Sequence, residues 1–361
     1  MKLLVTGGAG FIGSNFVHYI LEKYPEDQVI NLDLLTYAGN IHNLDDVKDN
    51  PNHIFVQGNI NNRELVRHLV KTYGITHFVN FAAESHVDRS ILNPEIFVET
   101  NIQGTLALLN VAKEMGIEKY LQVSTDEVYG SLGAEGYFTE ETPLAPNSPY
   151  SASKTGADLL VRSYYETYGI NVNITRCSNN YGPYHFPEKL IPLIIKNILE
   201  GKNLPVYGDG KQVRDWLYVE DHCKGIDMVI NGGKLGEAYN IGGFNEETNI
   251  NIVKLTIDTV RKLIVDSGES KVKKEYENVV KCPLEKISYE LITHVQDRLG
   301  HDARYAIDPA KTVKELGFYP ETPFTVGIEK TIKWYLDNQE WVNEVVSGDY
   351  QKYYNEMYGK K

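Results

Sequence analysis

The feature that constrains this chain most is a glycine-rich turn near its start. The apolar run Lys2–Thr6 leads into Gly-Gly-Ala-Gly-Phe-Ile-Gly at residues 7–13, and a helical pattern follows over 14–23. Glycines at these spacings permit a tight turn and a close approach of the backbone to a pyrophosphate, which then lies at the positive end of the helix. A second apolar run, residues 29–33, ends in an acid 20 positions beyond Gly13. This context predicts a dinucleotide-binding site.

The acid at the end of that second run, Asp33, indicates which dinucleotide binds. Its carboxylate would bind the adenosine ribose hydroxyls and repel a 2′-phosphate, so the sequence predicts NAD rather than NADP. The alternative is a glycine turn in some other α/β protein, with Asp33 acting only as a cap.

Short apolar runs continue to alternate with helical patterns along the chain. Strand candidates lie at 53–57, 76–83, 119–125 and 171–177, with helical patterns at about 62–73, 94–115 and 150–168. This alternation predicts an α/β fold, a Rossmann doubly wound parallel sheet with helices on both faces.

Past residue 180 the pattern changes, and we expect a smaller C-terminal α/β substrate-binding lobe. The expected NAD-binding domain spans 1–180, with strand and helix returns near 206–244, and the lobe comprises 181–205 and 245–361. Helical patterns recur at 190–200 and near 219–231, 250–264, 308–316 and 323–338, whereas 204–216 has a loop-like composition. Residues 269–286 resemble an insertion.

The groups best suited to chemistry lie between residues 125 and 154. Asp126 and Glu127 follow a predicted strand, and adjacent carboxylates can serve as acid and base if their environments keep them in different protonation states. Tyr150 and Lys154 share one face of a predicted helix, and the ammonium is expected to lower the pKa of the phenol. In a regular strand the two carboxylates would face opposite ways, so both can reach one ligand only if the chain leaves strand geometry there.

Composition excludes several classes of function. Acidic residues outnumber basic ones, 49 to 36, which argues against nucleic acid as a partner. The three cysteines are far apart and the ten histidines form no ligand pattern, so we expect buried thiols in a reducing compartment and no metal. The first residues reach glycine before a signal-peptide core could form, and no apolar run is long enough to span a membrane. We therefore expect a cytoplasmic protein.

Longer motifs give the chain a family resemblance. The glycine turn, Asp33 and the Tyr150–Lys154 pair resemble the extended short-chain dehydrogenase/reductases. Within that group, nearly the whole chain is similar to the dTDP-glucose 4,6-dehydratase family. The matching motifs are Asp-Leu-Leu-Thr-Tyr-Ala-Gly-Asn at 33–40, Ala-Ala-Glu-Ser-His-Val-Asp-Arg-Ser at 82–90, Ser-Thr-Asp-Glu-Val-Tyr-Gly at 124–130, Ser-Asn-Asn-Tyr-Gly-Pro-Tyr-His-Phe-Pro-Glu-Lys-Leu-Ile-Pro at 178–192, and Asp-Arg-Leu-Gly-His-Asp at 297–302.

The resemblance implies a reaction and a role for each catalytic candidate. Water would be removed from the glucose unit of dTDP-glucose to give dTDP-4-keto-6-deoxyglucose, with NAD bound throughout. Tyr150 would take the proton of the C4 hydroxyl, Thr125 would hydrogen-bond that hydroxyl, and Lys154 would hold the nicotinamide ribose. Glu127 would abstract the C5 proton, and a protonated Asp126 would donate to the departing C6 oxygen.

The resemblance also implies two sets of ligand-binding residues. The cofactor set is Gly7, Gly10, Phe11, Ile12, Gly13, Asp33, Leu34, Leu35, Thr36, Asn59, Ile60, Phe81, Ala82, Ala83, Ser85, Thr100, Tyr150, Lys154 and Asn180. The substrate set is Ser85, His86, Thr125, Asn179, Lys189, Leu190, Pro205, Tyr207, Arg214, Asn249, Arg298 and His301. Within the substrate set, the guanidinium groups of Arg214 and Arg298 would clamp a pyrophosphate. The alternative for each arginine is an ion pair at the surface. Tyr207 would pack on thymine or else in the core or at the surface, and His86 fits a ligand role and ordinary hydrogen bonding equally.

Two positions depart from the family pattern. Asn59 stands where an aspartate usually reaches the adenine, and Leu299 replaces a usual proline. The resemblance further implies a homodimer built from the helices near 100–115 and 150–168, and a place in deoxysugar synthesis such as that of rhamnose. The apolar run 106–111 (Leu106, Leu108, Leu109 and Val111) fits that interface and ordinary burial equally.

Three other functions remain open on the sequence. A nucleotide-sugar 4-epimerase would need Tyr150 and Lys154 but has no use for the Asp126–Glu127 pair. A dehydratase could act on a different nucleotide sugar. A catalytically silent NAD-binding sensor would be expected to lack Thr125, Tyr150 or Lys154, and all three are present.

Overall fold

The fold is built on one large parallel sheet with two small sheets beside it. The computed structural model describes residues 1–266, 270–297 and 302–346. The strands are β1 (Lys2–Thr6), β2 (Gln28–Asp33), β3 (His53–Gln57), β4 (His77–Asn80), β5 (Lys119–Thr125), β6 (Val172–Cys177), β7 (Asn179–Tyr181), β8 (Leu204–Tyr207), β9 (Val213–Tyr218), β10 (Ala238–Ile241), β11 (Glu246–Thr248) and β12 (Ile292–Val295).

The main sheet has seven strands in the order β10-β6-β5-β4-β1-β2-β3, and every neighbouring pair is parallel. The strand order reverses beside β1, which places a crevice at the carboxyl ends of β1 and β4. The predicted Rossmann doubly wound sheet is therefore confirmed.

Helices cover both faces of this sheet, and its central strands are accordingly buried on both sides. The α-helices are α1 (Phe11–Lys23), α2 (Arg63–Tyr73), α3 (Val87–Leu92), α4 (Glu95–Phe97), α5 (Thr105–Met115), α6 (Pro149–Tyr168), α7 (Leu190–Glu200), α8 (Val219–Gly232), α9 (Asn249–Ile264), α10 (Ala310–Leu316), α11 (Phe324–Asp337) and α12 (Gln339–Val345). The hydrophobic cluster on one face joins α1 to α8, and the cluster on the other face joins α2, α5 and α6.

A third hydrophobic cluster forms a lobe beside the main sheet. It joins α7, α9, α11 and α12 to strands of the two small sheets, β11-β9-β7 and β12-β8. The loop-like interpretation of 204–216 is wrong for most of that stretch, because β8 and the first part of β9 occupy it. Pro205 and the glycines at 208 and 210 masked the strand pattern, and Leu204 and Val206 are buried in the lobe.

The predicted continuous helix over 94–115 is interrupted. Residues Val98–Gly104 form a π-helix between α4 and α5. In this segment the Asn101 side chain donates to the Glu84 carbonyl at 3.0 Å and to Ser153 Oγ at 2.8 Å. Because a π-turn widens the helix locally, it redirects side chains in a way that apolar periodicity does not reveal. Within the described ranges, no helix has the length and apolar character needed to cross a lipid bilayer.

A buried lysine links the main sheet to the end of α8. Lys119 Nζ donates to the carbonyls of Val229 at 3.0 Å and Ile230 at 2.8 Å in the last turn of the helix, where Val229 also accepts from the Gly233 N–H at 2.9 Å. Replacing Lys119 with Met should therefore lower the free energy of unfolding by about 1–3 kcal/mol. Urea denaturation would measure this. The exposed Lys71, changed to Met, is the matched control, and equal stability of both variants would contradict the capping role.

Candidate active site

One cavity of about 560 Å³ lies at the carboxyl edge of the main sheet and extends towards the third cluster. Its size is in the range of small-molecule sites. It gathers every predicted cofactor and substrate residue in the described part of the chain except Leu35. Arg298 and His301, and the Leu299 departure between them, lie outside the described residues. The two predicted sets therefore meet in one space.

Leu35 is the cofactor-set residue that the structure places elsewhere. Its backbone has a positive φ of 56° and its N–H donates to Asp33 Oδ1 at 2.8 Å. The side chain packs at the edge of the hydrophobic cluster on the α1 face. The residue positions Asp33 through its backbone and does not line the cavity.

The stretch predicted to be catalytic leaves strand geometry directly after β5. β5 ends at Thr125, and Asp126–Tyr129 forms a 3₁₀ helix. Thr125 Oγ1 accepts from the Glu127 N–H at 3.2 Å and so caps this helix. Asp126 and Glu127 consequently both line the cavity, which removes the objection that a strand would point them to opposite faces.

The two carboxylates have different environments. Asp126 is buried, with 2% of its surface exposed, whereas Glu127 is half-buried. Burial first, and then the Glu127 carboxylate, raise the pKa of Asp126 well above its ordinary value, although Arg214 opposes this. The expectation that Asp126 remains protonated is therefore physically supported.

Tyr150 and Lys154 lie one turn apart on α6, and both line the cavity. Lys154 Nζ donates to the Val123 carbonyl at 2.7 Å. The expected lowering of the Tyr150 pKa is wrong for this structure. Burial and the Glu127 carboxylate raise that pKa well above its usual value, and the hydrogen bond with Thr125 opposes them only in part. The Lys154 ammonium is not among the groups that counter the rise.

The glycine turn and its surroundings fit NAD. The first turn of α1 has no side-chain cap, so the N–H groups around Phe11 and Ile12 are available to a pyrophosphate beside the cavity. A Cβ at Gly13 would lie 2.2 Å from the Gly7 carbonyl oxygen, so only glycine permits this close turn. Asp33 Oδ2 accepts from the Ala9 N–H at 2.9 Å, which fixes the acid at the ribose end of the cavity.

The described residues of the substrate set line the same cavity, and several of their polar side chains are anchored by hydrogen bonds. Lys189 Nζ donates to the Ser85 carbonyl at 2.9 Å, and the Tyr207 hydroxyl bonds Asp88 Oδ2 at 3.4 Å. The Arg214 guanidinium donates to two backbone carbonyls and stacks on the Tyr305 ring at 4.3 Å. The hydrogen bonds therefore hold these cations in defined positions at the cavity.

Several lining residues escaped the sequence prediction. Glu188 is buried and accepts from Arg89 Nε at 3.2 Å, and His185 stacks on Phe11 with ring centroids 4.2 Å apart. Both belong to the 178–192 motif, in which polar residues interrupt a turn rich in proline and aromatic residues. That signal could have identified them. The Cys177 thiol also lines the cavity and shows no sequence signal beyond its position at a strand end. Across the described ranges, no group of three or more His, Cys, Asp or Glu residues is arranged to hold a metal ion.

The parallel sheet, the glycine turn and the Tyr150–Lys154 pair at one sheet edge define an extended short-chain dehydrogenase/reductase. A family model described as GDP-mannose 4,6 dehydratase matches residues 4–331. A dTDP-glucose 4,6-dehydratase of Xanthomonas campestris pv. campestris (strain B100) is 50% identical over 358 residues, which cover 96% of this chain and 97% of that protein. The chain belongs to the dTDP-glucose 4,6-dehydratase family.

Solved structures agree with this assignment. The dTDP-glucose 4,6-dehydratase of Bacillus anthracis, crystallised with NAD, is 48% identical with a TM-score of 0.84, covering 96% of this chain and 99% of that one. DesIV, the dTDP-glucose 4,6-dehydratase of Streptomyces venezuelae, has NAD and dTDP bound. It is 46% identical with a TM-score of 0.86, covering 96% of this chain and 100% of that one.

The raised pKa of Tyr150 generates a spectroscopic prediction for the cofactor-free protein. Subtracting the ultraviolet titration of Tyr150→Phe from that of the wild type should leave no tyrosinate signal up to about pH 10, since a raised pKa keeps the phenol protonated. In a Glu127→Gln background the signal should move to lower pH, because the opposing carboxylate is gone. A tyrosinate signal near pH 8 in this difference titration would contradict a raised pKa of Tyr150.

Proposed function

We propose that this protein converts dTDP-glucose to dTDP-4-keto-6-deoxyglucose and water, with NAD bound throughout. The observation that carries the proposal is the 3₁₀ turn after β5. This turn brings Asp126 and Glu127 into the cavity that also contains Tyr150 and Lys154. The family relationship supports the same substrate.

Oxidation at C4 requires a base at the C4 hydroxyl. Tyr150 is that base, and the Thr125 hydroxyl, which hydrogen-bonds Tyr150, orients the substrate hydroxyl. Lys154 holds the nicotinamide ribose from the same helix face. Bound NAD supplies the hydride acceptor for C4 and the donor for C6, and its cationic ring favours the phenolate form of Tyr150.

Elimination then depends on the two carboxylates. The C4 ketone acidifies the C5 hydrogen, and the half-buried Glu127 takes it as general base. Asp126, which burial keeps protonated, donates its proton to the C6 oxygen as water leaves. After the hydride has returned to C6 and Glu127 has given its proton back to C5, Tyr150 still carries the proton of the C4 hydroxyl and Asp126 lacks the one it gave to water. Transfer of this proton from Tyr150 to Asp126 restores the resting protonation states, so no second substrate is consumed.

The different roles of the two carboxylates also distinguish a 4,6-dehydratase from the alternative functions. A 4-epimerase needs only the first oxidation and its reversal, so it has no role for an acid and a base beside C5 and C6. A silent NAD-binding protein has no need for Thr125, Tyr150 and Lys154 in one cavity. The base of the nucleotide is the part of the proposal that rests on the relatives alone.

Incubation of the purified protein with dTDP-glucose, without added NAD, tests the reaction directly by mass spectrometry. We expect a product lighter by one water, because the cofactor should copurify with the protein. An unchanged mass with conversion to the galactose isomer would indicate a 4-epimerase. No conversion even with NAD added would overturn dTDP-glucose as the substrate, and other nucleotide sugars would then be compared in the same assay.

Replacing Glu127 with Gln should stall the reaction after the first oxidation. The C5 proton then has no base, so reduced nicotinamide should accumulate on the protein while turnover falls at least 100-fold, the lower range for general-base catalysis. Stopped-flow absorbance of the reduced ring would measure this. Glu315→Gln is the matched control, since Glu315 accepts from Lys234 and Tyr239 away from the cavity. Normal turnover of Glu127→Gln would exclude this residue as the C5 base.

Replacing Tyr150 with Phe should block the step before that one. No reduced nicotinamide should form on mixing with dTDP-glucose, although the protein should still bind NAD through the glycine turn and Asp33. Equilibrium dialysis would check the binding. Wild-type turnover in this variant would contradict the role of Tyr150 as base.

We also infer a homodimer and a division of labour between the two parts of the fold. Leu108, Leu109 and Val111 are fully buried within the single chain, so they do not support a partner surface. Leu159 and Tyr168 on α6 are each 52% exposed and support one better. The expected domain division remains a proposal, with the lobe around α7, α9 and α11 binding the nucleotide sugar. The cytoplasmic location stays a prediction from the composition and the first residues of the sequence, and the link to rhamnose synthesis stays a prediction from the resemblance.

A further inference from the structure

A charged pair is buried behind the catalytic helix. Arg176 Nε donates to Asp158 Oδ2 at 3.0 Å, and the side chains are 8% and 1% exposed. Neither residue lines the cavity, and the described reaction uses neither. A buried ion pair gives little net stability compared with well-packed apolar residues, so its presence beside a catalytic site calls for a functional reason.

The position of Asp158 relates it to the catalytic lysine. Tyr150, Lys154 and Asp158 recur at intervals of four on α6, so they lie along one helix face. Asp158 Oδ1 is buried and makes no hydrogen bond within the described ranges, so Arg176 is the donor that holds this carboxylate.

The position of Arg176 relates it to the two catalytic carboxylates. On β6, Arg176 pairs in register with Ser124 of β5, one residue before Thr125. Its NH1 donates to the Tyr129 hydroxyl at 2.9 Å, and Tyr129 is the last residue of the 3₁₀ helix that starts at Asp126. One guanidinium therefore ties α6 to the helix carrying Asp126 and Glu127.

The network continues towards the C-terminal part of the chain. The Tyr129 hydroxyl donates to Asn240 Oδ1 at 2.8 Å, and the Asn240 amide donates to the Phe138 carbonyl at 3.1 Å. The Asn240 N–H in turn donates to Glu140 Oε1 at 2.7 Å. The NH1 group of Arg176 is thus held by the Tyr129 hydroxyl, and Asn240 fixes the position of that hydroxyl.

Lys154 needs such a partner because it is buried. Burial lowers the pKa of the ammonium, and the carboxylate of Asp158 is the largest influence that opposes this. The other groups that face Lys154 are Tyr150 on the same helix, the Cys177 thiol on β6 and the Val123 carbonyl on β5. Among these groups, Asp158 carries the full negative charge.

We propose that Asp158 and Arg176 are positioning residues that keep Lys154 charged and hold α6 in register with the 3₁₀ helix of Asp126 and Glu127. Asp158 supplies the negative charge, and Arg176 fixes that charge while fastening Tyr129. The catalytic consequence of this inference rests on the proposed function. The effect of Asp158 on the charge of Lys154 does not depend on that function.

The first test is the titration of Lys154 in the whole protein, followed by NMR of isotope-labelled lysine. The resonance of Lys154 would be assigned by its absence in Lys154→Arg. Asp158→Asn should lower the pKa of Lys154 by about one unit or more, because the nearest negative charge is removed. An unchanged titration would overturn the proposal.

A matched control separates this charge effect from general damage to the fold. Asp227 is also a buried carboxylate paired with a cation, since it accepts from Lys23 Nζ at 2.6 Å on the far side of α8. Asp227→Asn should reduce the melting temperature as Asp158→Asn does, and should leave the Lys154 titration unchanged. A similar shift in both variants would overturn the proposal.

The double variant Asp158→Asn/Arg176→Gln covers the case in which the single variant folds poorly. Removing both charges leaves no uncompensated buried ion, so the melting temperature should recover towards the wild type. The lowered pKa of Lys154 should persist, because the carboxylate is still absent. Recovery of the titration together with the stability would overturn the proposal, since the shift would then have followed packing.

Catalysis supplies an independent readout for the same variants. The alkaline limb of the rate of nicotinamide reduction should move to lower pH in Asp158→Asn, and stay in place in Asp227→Asn. If the wild type fails to dehydrate dTDP-glucose, the proposed function fails while the titration still tests the pair. If the wild type is active and the limb does not move in Asp158→Asn, the positioning role fails alone.

Discussion

The active site depends on the point where β5 stops being a strand. β5 ends at its seventh residue, Thr125, and a 3₁₀ helix follows directly. The hydroxyl of Thr125 stabilises that helix by accepting from the Glu127 N–H. Without this turn the pleat would send the side chains of Asp126 and Glu127 to opposite faces of the sheet. The same threonine hydrogen-bonds Tyr150, so one side chain links the tyrosine that we propose as the base of the oxidation to the two carboxylates that we propose for the elimination.

Burial then divides the work between chemically similar groups. Asp126 is enclosed and its neighbour Glu127 is half-buried, so the same backbone turn holds two carboxyl groups in different environments, and burial raises the pKa of Asp126 well above its ordinary value. Burial also raises the pKa of the Tyr150 phenol and lowers that of the Lys154 ammonium. In the protein alone, the catalytic groups are therefore biased towards their neutral forms, and added charges are needed to activate them.

The sequence predicted the main sheet and the position of the site because both follow from short-range signals. Apolar runs of strand length alternate with helical periods, and the glycine turn, Thr125 and Tyr150 each follow or face a strand end. The features that it missed depend on contacts between distant residues. The pKa of Tyr150 depends on enclosure and on the nearby Glu127 carboxylate. The buried carboxylate of Glu188 accepts from Arg89, which lies 99 residues away in the sequence. β8 escaped because Pro205 and the glycines at 208 and 210 masked its pattern, and because its partner β12 lies 88 residues later in the chain.

The interleaving of the main sheet with the third hydrophobic cluster has a consequence for how the protein is made. β10, an edge strand of the main sheet, comes after β7, β8 and β9, while the cluster beside them requires α9 and α11 from still later in the chain. Neither the main sheet nor the lobe formed by the third hydrophobic cluster is therefore built from one continuous segment of the chain. Cleavage at a single peptide bond would not separate them into two folded fragments. On the ribosome, the first 180 residues would emerge with the edge of β6 unpaired. The nascent chain would wait for about 60 further residues before that edge is covered, at roughly 5–20 residues per second.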